Sequence, residues 1–112
     1  MNWNVVTLPR AREDYAQILR YLSGFYPSTP RKFAQEYRKM RQRIKRNPFG
    51  CTAYEGIPGF RRAFAGKYLV FYDIIEETRT VRIHRILRAS WNISNILQGP
   101  AQEPPKDKKD EP

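Results

Sequence analysis

The sequence predicts an α+β domain, in which an N-terminal strand and a two-helix hairpin pack on a small, mainly antiparallel sheet, with a short C-terminal helix. Three observations favour this class. Two segments place apolar residues at helical spacing, two later segments are rich in β-branched and aromatic residues, and 112 residues suffice for one hydrophobic core. We expect the domain to span residues 1–98.

The first half of the chain predicts one strand and two helices. "WNVVTL" at 3–8 is β-branched and apolar and stops at Pro9, which lacks an amide donor. The first helix carries an apolar stripe at steps of three and four: Ala11, Tyr15, Ile18, Leu19, Leu22 and Phe25. Ser28 or Thr29 is expected to cap the second helix. The apolar stripe of that helix is Phe33, Tyr37, Met40 and Ile44.

The second half predicts strands and a last helix. A short strand about 61–65 leads through a turn at Gly66 into "KYLVFYDII", and "EETR" is the turn before the returning strand "TVRIHRIL". Strict alternation along the returning strand puts Val81, Ile83 and Leu87 on one side and Arg82, His84 and Arg88 on the other. A short helix is expected at roughly 91–97.

The chain ends in a segment of different composition. After Gly99, "PAQEPPKDKKDEP" has four prolines and no large apolar residue. Such a segment cannot offset its ordering entropy by burial, so 99–112 is expected to be a flexible tail.

The chain is strongly basic, with 21 lysines and arginines against 11 acidic residues and a formal net charge of +10. A field of this sign attracts nucleic acid, acidic proteins or anionic membranes, and does not choose among them. The second predicted helix is the most basic segment, and either it binds phosphates or its cations form an ordinary solvated face. Membrane-surface binding is disfavoured, because the apolar stripe of this helix is needed to cover the sheet.

Few residues qualify as catalytic or metal-binding groups. One cysteine, Cys51, and one histidine, His84, cannot form an intramolecular disulfide or a zinc site of several ligands, so we expect no metal, no cofactor and a reducing, cytoplasmic compartment. The longest apolar run, 68–72, is too short to span a bilayer. Two interpretations of His84 are open: an acid or base acting on a phosphodiester, or a partly buried strand residue without a catalytic role.

Three stretches of the sequence resemble the ParE branch of the ParE/RelE toxin superfamily. They are "LPRAREDYAQILRYL" at the first helix, "GFRRAFAGKYLVFYDI" across the first hairpin, and "VRIHRILRASWNI" at the returning strand and its exit. The resemblance covers about 5–97. It implies a RelE/ParE-like fold and a cytoplasmic toxin of a bacterial type II toxin–antitoxin (plasmid stabilisation) module, neutralised by a cognate antitoxin.

The two branches of the superfamily differ in their targets, since ParE-like members poison DNA gyrase and RelE-like members cleave mRNA in the ribosome. RelE-like nucleases usually carry an arginine directly after the tyrosine of the strand that begins here at Lys67, and this chain has Leu69. ParE-like sequences commonly have leucine, isoleucine or valine there. ParE-like sequences also have an arginine-valine-leucine-histidine run at the returning strand. Residues 85–87 match this run, but Arg88 stands where histidine is usual. Beyond the strand, an arginine or methionine followed by aspartate is common, and this chain has Trp91 and Asn92 there.

The resemblance therefore implies a toxin that inhibits DNA gyrase by binding, without catalysis, through a basic edge of the sheet. The residues expected to contact the target or the antitoxin are Arg61, Arg62, Lys67, Arg82, Arg85, Arg88 and Trp91. Two alternatives are open: a ribosome-dependent mRNA endoribonuclease that uses His84, and a non-toxic relative that binds only an antitoxin-like protein. The antitoxin is expected to be acidic and to bury apolar residues beside the basic surface.

Overall fold

In the computed structural model, which describes residues 2–91 and 93–98, two helices cover one face of a five-stranded sheet. The strands are β1 (Asn4–Thr7), β2 (Thr52–Ala53), β3 (Arg61–Ala65), β4 (Tyr68–Ile75) and β5 (Thr80–Arg88). The helices are α1 (Pro9–Leu22), α2 (Ser28–Arg46) and the short α3 (Ile93–Gln98). The predicted α+β architecture of a two-helix hairpin on a mainly antiparallel sheet is confirmed, with β2 as an additional strand. The predicted tail at 99–112 lies outside the described residues, as does position 92 within the predicted last helix.

The sheet has the order β1-β5-β4-β3-β2, and only the pair β1 and β5 is parallel. A parallel pair needs a crossover connection, which here includes the α1–α2 hairpin. The β3–β4 connection is a two-residue turn whose first residue, Gly66, has a φ of +62°. Glycine tolerates this conformation, because an added Cβ is what makes positive φ unfavourable.

The helix boundaries differ from the sequence-based expectation at two places. Pro9 begins α1 one residue after β1, where its missing N–H costs nothing, and α1 ends at Leu22. Phe25, which the apolar stripe included, is therefore outside the helix and 45% exposed. The expected side-chain cap of α2 is wrong, since Ser28 is its first helical residue and the capping position is Pro27, which has no side-chain donor or acceptor.

Both faces of the sheet are covered by apolar side chains. The helix-facing core combines the buried stripes of α1 and α2 with β3, β4 and β5, and includes Ile18, Met40, Ile44, Val70, Tyr72, Val81, Ile83 and Ile86. The outer-face cluster on the other side contains Leu69, Phe71, Leu87 and Ile96, with Tyr54, Phe60, Trp91, Ile93 and Leu97 packed against it. A strand buried on both faces needs a continuous apolar run, which explains the composition of β4.

A β-bulge in β5 overturns the predicted alternation of that strand. Tyr72 pairs with Ile83 and the next residue back, Phe71, pairs with Arg85, so His84 is an extra residue without a partner in the register. An extra residue reverses the alternation that follows it. Leu87 consequently lies on the face opposite Val81 and Ile83, in the outer-face cluster, and Arg88 lies on the helix side.

Candidate functional site

The most deeply buried charged group joins α1 to the end of the bulge. Arg85 Nε donates to Asp14 Oδ2 over 2.8 Å and Arg85 Nη2 donates to Asp14 Oδ1 over 3.2 Å. The amide of Ile86 donates to the same Oδ2 over 2.9 Å. Burial raises the pKa of the Asp14 carboxyl, and the hydrogen bonds from Arg85 and from the Ile86 amide act in the opposite direction. Arg85 is 5% exposed, so it does not lie on the exposed basic edge where it was expected.

A second ion-pair group lies on the outer face, where β4 and β5 run side by side. Arg82 holds Asp73 with two hydrogen bonds, Nε to Oδ1 over 3.0 Å and Nη2 to Oδ2 over 2.6 Å. Burial alone would raise the pKa of the Asp73 carboxyl, but the hydrogen bond from Arg82 and the charge of His84 lower it below its ordinary value. The Arg82 guanidinium is thus matched to a carboxylate of its own sheet.

His84 completes this group. Its Nε2 lies 3.2 Å from Asp73 Oδ2, an ion-pair distance without the alignment of a hydrogen bond. The imidazole packs against the Phe60 ring, with 4.7 Å between ring centroids. A carboxylate can orient an imidazole as a general base, but its negative charge also repels a phosphodiester. Leu69, four residues before Asp73 on the same face of β4, is only 7% exposed and belongs to the outer-face cluster.

Arg61 and Arg62, the first two residues of β3, have different surroundings. Arg61 Nη1 donates to the carbonyl of Cys51 over 2.6 Å and to that of Phe49 over 3.3 Å, so it braces the segment after α2. The Tyr72 hydroxyl donates to the Pro48 carbonyl over 2.6 Å and supports the same segment. Arg62 is half-buried and lies opposite Phe71 in the register.

Lys67 and Arg88 come together at one end of the sheet. They line a groove of about 540 Å³ between the α1–α2 connection and the β3–β4 turn, together with Leu22, Phe25, Tyr26, Thr29, Lys32, Phe33, Glu36, Ala65, Gly66 and Tyr68. The Arg88 guanidinium stacks over the Tyr68 ring at 5.8 Å, and Lys67 is exposed at the turn. Tyr26 is 72% exposed at the rim. We call this feature the end groove, and its mixture of aromatic and cationic side chains is typical of a protein-binding surface.

Trp91 does not reach the end groove. Its indole ring is half-buried and packs against the outer-face cluster, while its amide donates to the Arg88 carbonyl over 3.0 Å. The seven residues expected on one basic edge are therefore distributed over several surroundings. Two line the end groove, Trp91 and Arg82 lie on the outer face, and Arg85 is buried against α1.

Sequence reasoning missed the two carboxylates that organise these cations. Asp14 stands three residues after Ala11 and four before Ile18, which places it on the buried stripe of α1. A carboxylate at a core position indicates a buried cationic partner. Asp73 lies two residues after Phe71 on the same strand face, and this spacing could have located it on the outer face.

Two further findings concern the described part of the chain. Among residues 2–91 and 93–98, no three His, Cys, Asp or Glu side chains are grouped as metal ligands would be. None of the helices described there has the length and apolarity needed to cross a membrane.

Comparisons with known proteins agree with this architecture. The chain from the complex RelBE2 of Mycobacterium tuberculosis is 21% identical, with a TM-score of 0.59, 79% of this chain covered and 99% of that chain. A chain of the chromosomal ParDE system of P. aeruginosa is 16% identical, with a TM-score of 0.66, and the match covers 77% of this chain and 95% of that chain. A mutant of the E. coli toxin RelE in the free state is 14% identical, with a TM-score of 0.57, and the match covers 80% of this chain and 86% of that chain. At these identities the likeness shows the fold.

The family comparison is more specific. No curated protein matches the sequence. The family model described as the ParE toxin of the type II toxin–antitoxin system parDE matches residues 5–93, which include both large helices, β2 to β5 and all of β1 except its first residue. The chain therefore belongs to the ParE toxin family of type II toxin–antitoxin systems.

Proposed function

We propose that this toxin inhibits DNA gyrase by binding and without catalysis, and that it acts in the cytoplasm as part of a plasmid-stabilisation module. The observation that carries the proposal is Leu69, whose side chain is buried in the outer-face cluster at the place where nuclease relatives aim an arginine. Positive charge aimed at the reacting phosphate is a large part of catalysis in phosphoryl chemistry. An apolar side chain at that place supplies none.

The charges near His84 also favour binding over phosphodiester cleavage. Arg82 on that face is hydrogen-bonded to Asp73, and the Asp73 carboxylate lies 3.2 Å from the imidazole. A scissile phosphate approaching His84 would therefore meet an Arg82–Asp73 ion pair without net charge and not a free cation. His84 nevertheless has the carboxylate partner of a general base, so the endoribonuclease is the second candidate.

The end groove is the proposed contact surface for gyrase. It offers exposed aromatic side chains at Phe25 and Tyr26 and an exposed cation at Lys67, beside the largely buried Arg88. Such a mixture fits an acidic partner with apolar anchors. The net charge of +10 accelerates encounter with such a partner. Arg82 and Trp91 contribute from the outer face.

A supercoiling assay tests this function. Purified toxin is added to gyrase, ATP and relaxed plasmid, and we expect supercoiling to stop. Lys67→Glu should weaken the inhibition, because it reverses an exposed charge beside the end groove, whereas Arg20→Glu reverses an exposed charge on α1 and should not. Normal supercoiling at a large excess of toxin would contradict the proposal.

A cognate antitoxin is the second proposed partner. The M. tuberculosis RelBE2 structure is a toxin–antitoxin complex, and the P. aeruginosa ParDE structure is a toxin–antitoxin system. For this chain we propose an acidic antitoxin that also buries apolar residues at the end groove. Co-purification with the product of a neighbouring gene should survive high salt, since apolar contacts are not screened. Complete dissociation in salt would mean that charge alone held the pair.

A further inference from the structure

The exposed face of α2 carries an unusually dense positive charge. Eight of its 19 residues are lysine or arginine, and Glu36 is its one acidic residue. Within residues 2–91 and 93–98, none of these eight cations lies at ion-pair distance from a carboxylate. The charge of α2 is therefore not neutralised inside the described fold, in contrast to the charges of Arg82 and Arg85.

The packing of α2 fixes where this charge points. Its buried stripe, from Phe33 to Ile44, faces the sheet and holds the helix in one rotation. Six cations are exposed: Arg31, Lys32, Arg38, Lys39, Arg43 and Arg46. At 3.6 residues per turn they flank the line through Gln35 and Gln42 on the side opposite the buried stripe, and Lys32 and Arg46 are about 21 Å apart along the axis. The result is a straight cationic surface rather than a scattered charge.

The C-terminal half of this surface forms a shallow depression of about 580 Å³. It is lined by Arg38, Lys39, Gln42, Arg43, Arg46 and Asn47. Each of these side chains can donate hydrogen bonds, and the lining includes no carboxylate and no apolar side chain. Arg43 Nη2 also lies 3.5 Å from the Phe64 carbonyl, which restricts the guanidinium. The depression therefore suits a ligand that presents many acceptor oxygens and negative charge.

We propose that this face of α2 docks on the phosphate backbone of duplex DNA. A protein partner is a poorer fit, because protein interfaces have an apolar core from which charged residues are depleted. Interfaces with DNA are more polar and far more positively charged. A single strand fits less well, since Phe33 and Tyr37 are buried and the exposed face of α2 offers no aromatic ring on which bases could stack. About 21 Å of duplex carries roughly 12 phosphates, enough to meet six cations.

The surface shares Lys32 with the end groove, but the depression in its C-terminal half shares no residue with that groove and differs from it in chemistry. DNA binding through this half therefore does not depend on gyrase inhibition. Contacts to phosphates alone give affinity without sequence preference and a steep salt dependence. A toxin that binds duplex DNA in this way would be concentrated near enzymes that act on DNA.

Fluorescence anisotropy with a labelled duplex of about 20 base pairs, over about 50 to 200 mM salt, tests the proposal. The test variant is Arg38→Gln/Arg46→Gln and the matched control is Arg12→Gln/Arg20→Gln, which removes the same charge from exposed positions of α1. We expect the test variant to bind at least about tenfold more weakly in low salt, and its log–log salt slope to be smaller by about 1.8. The control should bind as the wild type does, and the thermal melting of all three proteins confirms that they are folded.

Three outcomes would overturn the proposal. Equal weakening of both double variants would mean that net charge alone attracts DNA. Unchanged binding of the test variant would place the contact elsewhere. Tighter binding to single-stranded RNA of equal length, or to vesicles with anionic lipid, than to the duplex would assign the surface to a different partner.

Discussion

Arg85 and Asp14 are 71 residues apart in the sequence and form a two-pronged ion pair in the interior, with Nε to Oδ2 at 2.8 Å. The pair exists because β1 accompanies β5 only as far as Ile83, and beyond that point α1 supplies the acceptor for the Ile86 amide. Arg85 directly follows the bulged residue His84 in β5. One carboxylate therefore ties α1 to the second half of β5.

Removing one partner of this pair should be costly. Asp14→Asn leaves the Arg85 guanidinium buried without a counter-charge, and we expect the free energy of unfolding to fall by about 3–5 kcal/mol. Urea denaturation measures it, with Glu13→Gln, the exposed neighbour on the same helix, as a control that changes stability by less than about 0.5 kcal/mol. The double variant Asp14→Leu/Arg85→Met should lose less stability than the sum of the losses in the single variants Asp14→Leu and Arg85→Met. Strict additivity of these losses would contradict a direct pair.

The cross-strand neighbours Leu69 and Phe64 should respond very differently to truncation. They face each other in the register, but Leu69 is 7% exposed and Phe64 is 53% exposed. Leu69→Ala should reduce the free energy of unfolding by about 2–4 kcal/mol through lost burial and a cavity. Phe64→Ala should change it by less than about 1 kcal/mol. Equal losses in denaturation experiments would show that the outer-face cluster does not bury Leu69 in solution.

The Asp73 carboxylate should contribute an acid-sensitive part of the stability. Its pKa is lowered in the folded protein by Arg82 and by His84, against the effect of burial. A depressed pKa stabilises the fold above the ordinary value of 3.8, and this contribution is lost as the pH falls through the lower, folded pKa. The difference in melting temperature between the wild type and Asp73→Asn should thus be largest near neutral pH and shrink in acid. Glu77→Gln, in the exposed turn, should show no such trend, and a constant difference for Asp73→Asn would refute the linkage.

Removing the imidazole separates the two candidate activities. If the toxin acts by binding gyrase, His84→Ala should still inhibit supercoiling and arrest growth, because the end groove does not include His84. Since Phe60 packs on the imidazole, melting of the purified variant must show that it is folded. Codon-proximal mRNA cleavage that appears on induction of the wild type and disappears in His84→Ala would establish the endoribonuclease instead.

The sequence alone determined the architecture of this toxin. Apolar spacing located α1 and α2, a continuous apolar run marked β4 as a strand buried on both faces, and Gly66 marked the tight turn before it. These signals are local, because each depends on the period of one element and on the backbone freedom of one residue. Three quoted stretches were enough to indicate the family.

Only the tertiary structure decided which cations are available. One extra residue at His84 reverses the faces of Leu87 and Arg88, and no period within β5 reveals it. Arg82 and Arg85 look alike in the sequence, yet each is matched to a carboxylate that long-range packing brings to it. The cations of α2 are not matched in this way within the described fold, because their helix turns its other side to the sheet. Local periodicity therefore fixes the elements, whereas charge is assigned by contacts between residues far apart in the chain.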